Sequence, residues 1–144
     1  MATRKLNPGN RLTVGLYNVP VDDGKAYSIK TENRGSYVYA IIGGIKVTPE
    51  MARDYWSEIV QECRELSLNK ILAEKNFPET ISPDALAKLN PFLTELFKGF
   101  TVAFVDRYGH DDLSGLGKKL ARNSGVKMQV FDDVGEAEKW LLVN

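Results

Sequence analysis

The sequence predicts an α/β domain, a mixed and largely parallel sheet of about five strands covered by four helices. Three observations carry that prediction. Short β-branched and aromatic runs alternate with longer stretches of helical period. Two of those stretches open on a hydroxyl residue followed by proline, Thr48-Pro49 and Ser82-Pro83, the order that suits a helix cap and the first helical position. The first two runs of the sheet are separated only by Asn33-Arg34-Gly35-Ser36, so the sheet starts with a hairpin.

The elements follow in order. Residues 1–25 form an arm rich in Pro, Gly and Asn, in which Leu12, Val14 and Leu16 alternate and predict one extra strand. Residues 26–144 form the domain. Its first strand places Tyr27, Ile29 and Thr31 on one face, and Tyr-Val-Tyr-Ala-Ile-Ile-Gly-Gly supplies a buried partner. A helix then carries Met51, Tyr55, Ile59, Cys63 and Leu66 at helical spacing, widened by Trp56 and Val60, while Glu50, Arg53, Asp54, Glu58, Glu62 and Glu65 read as its solvated side. The run at 69–74 is a buried strand.

A second helix buries Leu86, Leu89, Leu93, Leu96 and Phe97, with Pro91 expected to kink or restart it, Asn90 serving as a fresh cap, and Gly99 ending it. The run at 100–106 is a third buried strand. Residues 111–125 then read as a helix capped by Asp111 or Asp112, burying Leu113, Leu116 and Leu120 and closed by Gly125. One more strand at 126–131 leads to a last helix, where Asp133 and Glu136 have capping-box spacing and Val134, Ala137, Trp140 and Leu141 form the buried face.

Composition narrows the function. With 19 basic and 19 acidic residues, the chain lacks the basic excess of a nucleic-acid-binding domain, and no nucleic acid is expected as a partner. Cys63 is the single cysteine, which rules out an intramolecular disulfide and a cysteine-based zinc site. No metal and no cofactor are expected. The first twelve residues have no apolar run behind their basic ones, and no stretch reaches the ~20 apolar residues of a membrane span. The expected location is the cytoplasm.

The order of elements, with Gly-Gly-Ile-Lys-Val-Thr-Pro-Glu leading into the first helix, Trp56, Ile59 and Cys63 within it, Phe-Thr-Val-Ala-Phe-Val-Asp, the joint at 121–133 and the terminal Glu-Ala-Glu-Lys-Trp-Leu, resembles the SpoIIAA-like family. That family is related to the STAS domains of anti-sigma-factor antagonists and sulfate transporters. The likeness covers residues 27–142. It implies a non-enzymatic module that binds a partner protein or a small apolar ligand. The branch is also similar in fold to lipid-binding Sec14-type domains, which implies association with lipid or a peripheral place at the membrane.

Residues 111–125 bear on two further motifs. A Walker loop fails there, since Asp112 and Lys119 stand where glycine and a hydroxyl are needed, and the dinucleotide pattern lacks its third glycine, position 120 being Leu. The Asp112-Leu113-Ser114-Gly115-Leu116-Gly117 stretch is similar to the one in which regulatory STAS domains carry a phosphorylatable serine. In that family the switch follows the strand after the first long helix. In this chain the loop in that register holds Thr80 and Ser82, where the resemblance implies a regulatory site and the sequence favours a cap. Lys118, Lys119 and Arg122 share the exposed side of the predicted helix and form a candidate contact for an anionic surface.

His110 reads as a loop residue rather than an acid–base group. Asn76, Phe77, Asp106, Arg107, Tyr108, Asp132 and Asp133 gather beyond the carboxyl ends of the strands, where open α/β sheets bind ligands. Asp106 and Asp132 suit a cation less well than they suit capping. Tyr55 and Trp56, with Phe92, Leu93, Leu96 and Phe97 on the second helix, exceed what packing needs and are the candidate lining of an apolar pocket.

The expected function is therefore a non-enzymatic module that binds an apolar small molecule, a lipid or a membrane surface. The alternative is a protein-interaction module in a regulatory relay of the anti-sigma-factor-antagonist type. If the N-terminal arm adds a strand to a neighbouring chain, the protein is a homodimer.

Overall fold

The computed structural model describes residues 11–14, 17–20, 27–79, 81–108, 122 and 126–144, the first two segments as backbone alone. Strands β1 (Arg11–Val14) and β2 (Tyr17–Pro20) pair antiparallel in a sheet of their own, with Val14 opposite Tyr17. The single strand expected from the alternation of Leu12, Val14 and Leu16 is thus two short strands. Gly15, a residue type that two-residue hairpin connections favour, is the signal that the alternation argument passed over.

The main sheet has five strands in the order β3-β4-β5-β6-β7. Strands β3 (Tyr27–Asn33) and β4 (Val38–Gly44) form an antiparallel hairpin. Its turn needs Gly35, whose φ of +91° lies in the left-handed region, and whose N–H donates to Asn33 Oδ1 at 2.8 Å. Strands β5 (Lys70–Asn76), β6 (Thr101–Asp106) and β7 (Lys127–Phe131) then add in parallel, one after another. The fold is a mixed, largely parallel α/β sheet.

Helix α1 (Pro49–Glu65) opens as its sequence requires: the Thr48 hydroxyl accepts from the Met51 N–H at 3.2 Å and Pro49 follows. It closes with Ser67 at φ 58°, so that the Leu68 N–H reaches the Cys63 carbonyl at 2.9 Å. Its buried side is the predicted one. The solvated side is corrected at Glu62, which is buried, and at Glu58, which accepts from the Tyr27 hydroxyl at 2.5 Å. Glu62 follows Ile59 by three residues and so sits at the margin of the apolar stripe.

Helix α2 (Pro83–Leu96) runs through Pro91 without a restart at Asn90. Proline removes the bond to the Ala87 carbonyl. Ala87 and Pro91 both lie on the exposed side, where the freed carbonyl is open to solvent. Gly99 at φ +84° turns the chain into β6. At the other end of α2 the Ser82 hydroxyl accepts from the Ala85 N–H at 3.2 Å. We expect Ser82→Ala to lower stability by about 1 kcal/mol and Ser82→Asp, itself a good cap, to leave it nearly unchanged, as read by chemical denaturation; an unchanged Ser82→Ala midpoint would show that the cap contributes nothing.

Helix α3 (Val134–Val143) is capped by Asp133, whose Oδ2 accepts from the Glu136 N–H at 2.9 Å. These three are the helices among the described residues; the fourth predicted helix, at 111–125, lies outside them except for Arg122, which is helical and exposed.

The two faces of the sheet bury different cores. Ile29, Val38, Ala40, Ile42, Ile71, Ala73 and Val102 pack with α1 and α2. Leu72, Ala103 and Val105 pack with Ala137 and Leu141 of α3. A sheet covered on both faces accounts for the near-continuous apolar runs of its inner strands.

Candidate functional site

On the α1–α2 face the core is incomplete. A cavity of about 80 Å³ lies between the two helices and strands β5 to β7. The alternation of side chains along a strand decides what enters it. Ile71, Ala73 and Lys75 share a parity on β5, and Val102, Phe104 and Asp106 share one on β6. Both series face α1 and α2. Where the apolar residues end, at the carboxyl ends of the strands, Lys75 and Asp106 reach the cavity instead.

Registration holds these two side by side. Lys75 and Asp106 are paired neighbours across β5 and β6, and the Arg107 N–H donates to the Lys75 carbonyl at 3.0 Å, carrying the ladder one step further. The loops after β4 and β5 are tied by the bridge between Lys46 and Glu79, with Val47 N–H to Glu79 carbonyl at 3.3 Å and Glu79 N–H to Ile45 carbonyl at 3.0 Å. That tie sets Val47 and Ile81 on the cavity wall. Ala52 of α1, a small residue, leaves space that a larger one would fill.

The rings of Tyr55, Trp56, Phe97 and Phe104 build part of the remaining wall. Trp56 meets Phe97 edge-on at 5.1 Å between centroids and lies tilted to Phe104 at 5.7 Å. Tyr55 stacks on Phe77 at 6.1 Å and meets Tyr27 edge-on at 5.7 Å. Such pairs hold their partners in defined orientations.

The Lys75 ammonium is placed over two of these rings, 5.8 Å from the centre of Phe77 and 5.2 Å from that of Phe104. Lys75 is only 8% exposed. Burial pulls its amine down to about 8, against the opposing pull of the Asp106 charge. Burial raises the Tyr55 hydroxyl well above the usual tyrosine range, and the Asp106 charge adds to the effect. An apolar cavity with an amine, a carboxylate and a phenol at one end is the arrangement that binding and reactive sites share.

Of the six residues predicted to line a pocket, Tyr55, Trp56, Leu93 and Phe97 do so. Phe92 and Leu96 are half-buried and lie outside the lining, Phe92 with the Arg53 guanidinium 5.8 Å from its ring centre. Ser82 is occupied as the α2 cap. Thr80, Lys118, Lys119 and His110 lie outside the described residues. Asp106 Oδ1 accepts from the Tyr108 N–H at 3.0 Å, and among the described residues no group of His, Cys, Asp and Glu is arranged to hold a metal ion. Cys63 is fully buried, and burial followed by the Glu62 charge pushes its thiol up to about 12, which keeps it from acting as a nucleophile.

Sequence reasoning missed Lys75. The signal was its parity: a lysine in step with Ile71 and Ala73 on a buried strand points where they point.

The opposite face carries a polar cluster. Glu74, buried, accepts from the Tyr39 hydroxyl and, at 2.6 Å, from Arg107 Nε, while the Arg34 guanidinium lies 4.6 Å from the Tyr39 ring centre. The Tyr37 hydroxyl donates to Glu138 Oε2 at 2.5 Å, and burial with that bond pushes it up to about 12. The Tyr39 bond ties β4 to β5, the Tyr37 bond ties the turn before β4 to α3, and the bonds to Glu74 satisfy a carboxylate that burial alone would disfavour.

The fold and the cavity define a class: an α/β domain of SpoIIAA-like fold with an apolar cavity between its helices and its parallel strands, polar toward their carboxyl ends. The solved structure of an uncharacterized protein of the DUF3478 family from Shewanella loihica PV-4, described as having a SpoIIAA-like fold, is similar over 90% of this chain and 98% of that one, with a TM-score of 0.52 and 16% sequence identity. No family model matches the chain, and none of the curated proteins does. Among the described residues no helix is long and apolar enough to cross a membrane.

Proposed function

We propose that the chain is a small-molecule binding module that holds an apolar ligand of a few carbon atoms in the cavity between α1, α2 and the sheet. The observation that supports this reading is the cavity itself, a largely apolar space between α1, α2 and the sheet whose lining includes Lys75 and Asp106. Protein interiors leave few voids larger than a water molecule. At about 80 Å³ the space is well below the roughly 300–1,000 Å³ that encloses a drug-sized ligand. A short aliphatic or small cyclic molecule suits it better than a phospholipid does.

The test is NMR titration with 1-butanol, following the Trp56 indole and the Phe104 ring, alongside the Ala52→Leu variant. The added carbons of leucine fill the ligand's space. We expect saturable shifts in the unaltered protein with a Kd in about the millimolar range, and at least tenfold weaker binding in the variant. Equal binding by the two proteins would place the ligand elsewhere and overturn the reading.

A further inference from the structure

We propose that Lys75 is the reactive group of this cavity, an amine that captures a small apolar aldehyde or ketone reversibly as an imine; the proposal rests on the cavity being a ligand site. The geometry separates this from simple charge recognition. An anionic ligand head at Lys75 would also face the carboxylate of Asp106, its registered neighbour in the same lining. A neutral carbonyl meets no such repulsion. It places its carbon toward the amine and its oxygen on the side of the Tyr55 hydroxyl, a donor, while its alkyl part lies against Trp56, Phe97 and Leu89.

The chemistry balances without any further reactant. The lone pair of the neutral Lys75 nitrogen forms the nitrogen–carbon bond as the carbonyl π pair moves onto oxygen. One amine proton passes to that oxygen. Loss of the second amine proton and departure of the oxygen as water leave the carbon–nitrogen double bond, and water reverses the sequence. Asp106 stands where it can carry these protons. The amine must be neutral to attack. With its pKa drawn down to about 8, about a tenth of the Lys75 amines are neutral at pH 7, over a hundredfold more than at an ordinary lysine.

The experiment treats the full chain with butanal and sodium cyanoborohydride at pH 7, which reduces any imine to a stable amine, and maps the modified lysines by mass spectrometry. Lys75 is expected to be labelled at least tenfold faster than the exposed Lys98, and 1-butanol is expected to slow labelling at Lys75 alone. In Lys75→Arg and Lys75→Met the fast labelling should vanish, with no other lysine taking its place. If 1-butanol binds but Lys75 is labelled no faster than Lys98, the imine proposal is wrong and the cavity reading stands. If neither compound perturbs Trp56 or Phe104 and Lys75 is labelled no faster than Lys98, both are wrong.

Discussion

Lys75→Met is expected to stabilise the protein by about 2–3 kcal/mol at pH 7, and the gain is expected to fade as the pH approaches 10.5. The amine titrates near 8 in the folded chain and near 10.5 once unfolded. Between those values the unfolded chain binds more protons than the folded one. Stability therefore rises with pH across that window, and below it the folded protein carries the full penalty of a buried charge. Methionine has nearly the same length, fills the same space and carries no charge. It forgoes the favourable placement over Phe77 and Phe104, which offsets part of the gain. Denaturation of both proteins between pH 6 and pH 10.5 would measure the difference directly. A loss of stability at pH 7 in Lys75→Met would mean that the lysine is a structural support rather than a group held at an energetic disadvantage for use.

Trp56→Ala is expected to have the largest opposite effect, a loss of about 3–5 kcal/mol. Trp56 is 5% exposed and contacts Tyr55, Phe97 and Phe104, so its removal takes away both apolar burial and three ring contacts. It also joins the vacated volume to the existing cavity. The variant should accept larger ligands, and indole at a hundred times its Kd should restore about 2.7 kcal/mol through preferential binding to the folded state. Denaturation with and without indole distinguishes the two effects. A variant that loses the expected stability yet gains nothing from indole would show that the space collapses, and that Trp56 packs the core without bounding a ligand site.

Both predictions turn on residues whose legibility in the sequence differed. Tyr55 and Trp56 stood out because one helix carried more aromatic surface than its stripe required. Phe92 and Leu96 were grouped with them because helical spacing assigns a residue to a side of the helix and does not say how far a cavity extends along it. Lys75 was passed over because the predicted strand ended at Glu74, whereas β5 runs on to Asn76 and keeps Lys75 in step with Ile71 and Ala73. Glu62 was placed in water with the other charged residues of α1, although it borders the apolar stripe. In the arm, a period of two was followed across Gly15, and one strand was expected where two occur.

The sequence by itself determined the alternation of strands and helices, the caps at Thr48, Ser82 and Asp133, and the buried stripe of α1, because each depends on bonds and periodicities within a few residues. It also carried the resemblance that the solved structure supports at the level of fold. The tertiary structure alone decided that Lys75 and Asp106 meet, that Glu74 is held by Tyr39 and Arg107 on the other face, and that α2 passes through Pro91. Strand register and the covering of each sheet face bring together residues distant in sequence. No local pattern measures the space left between them.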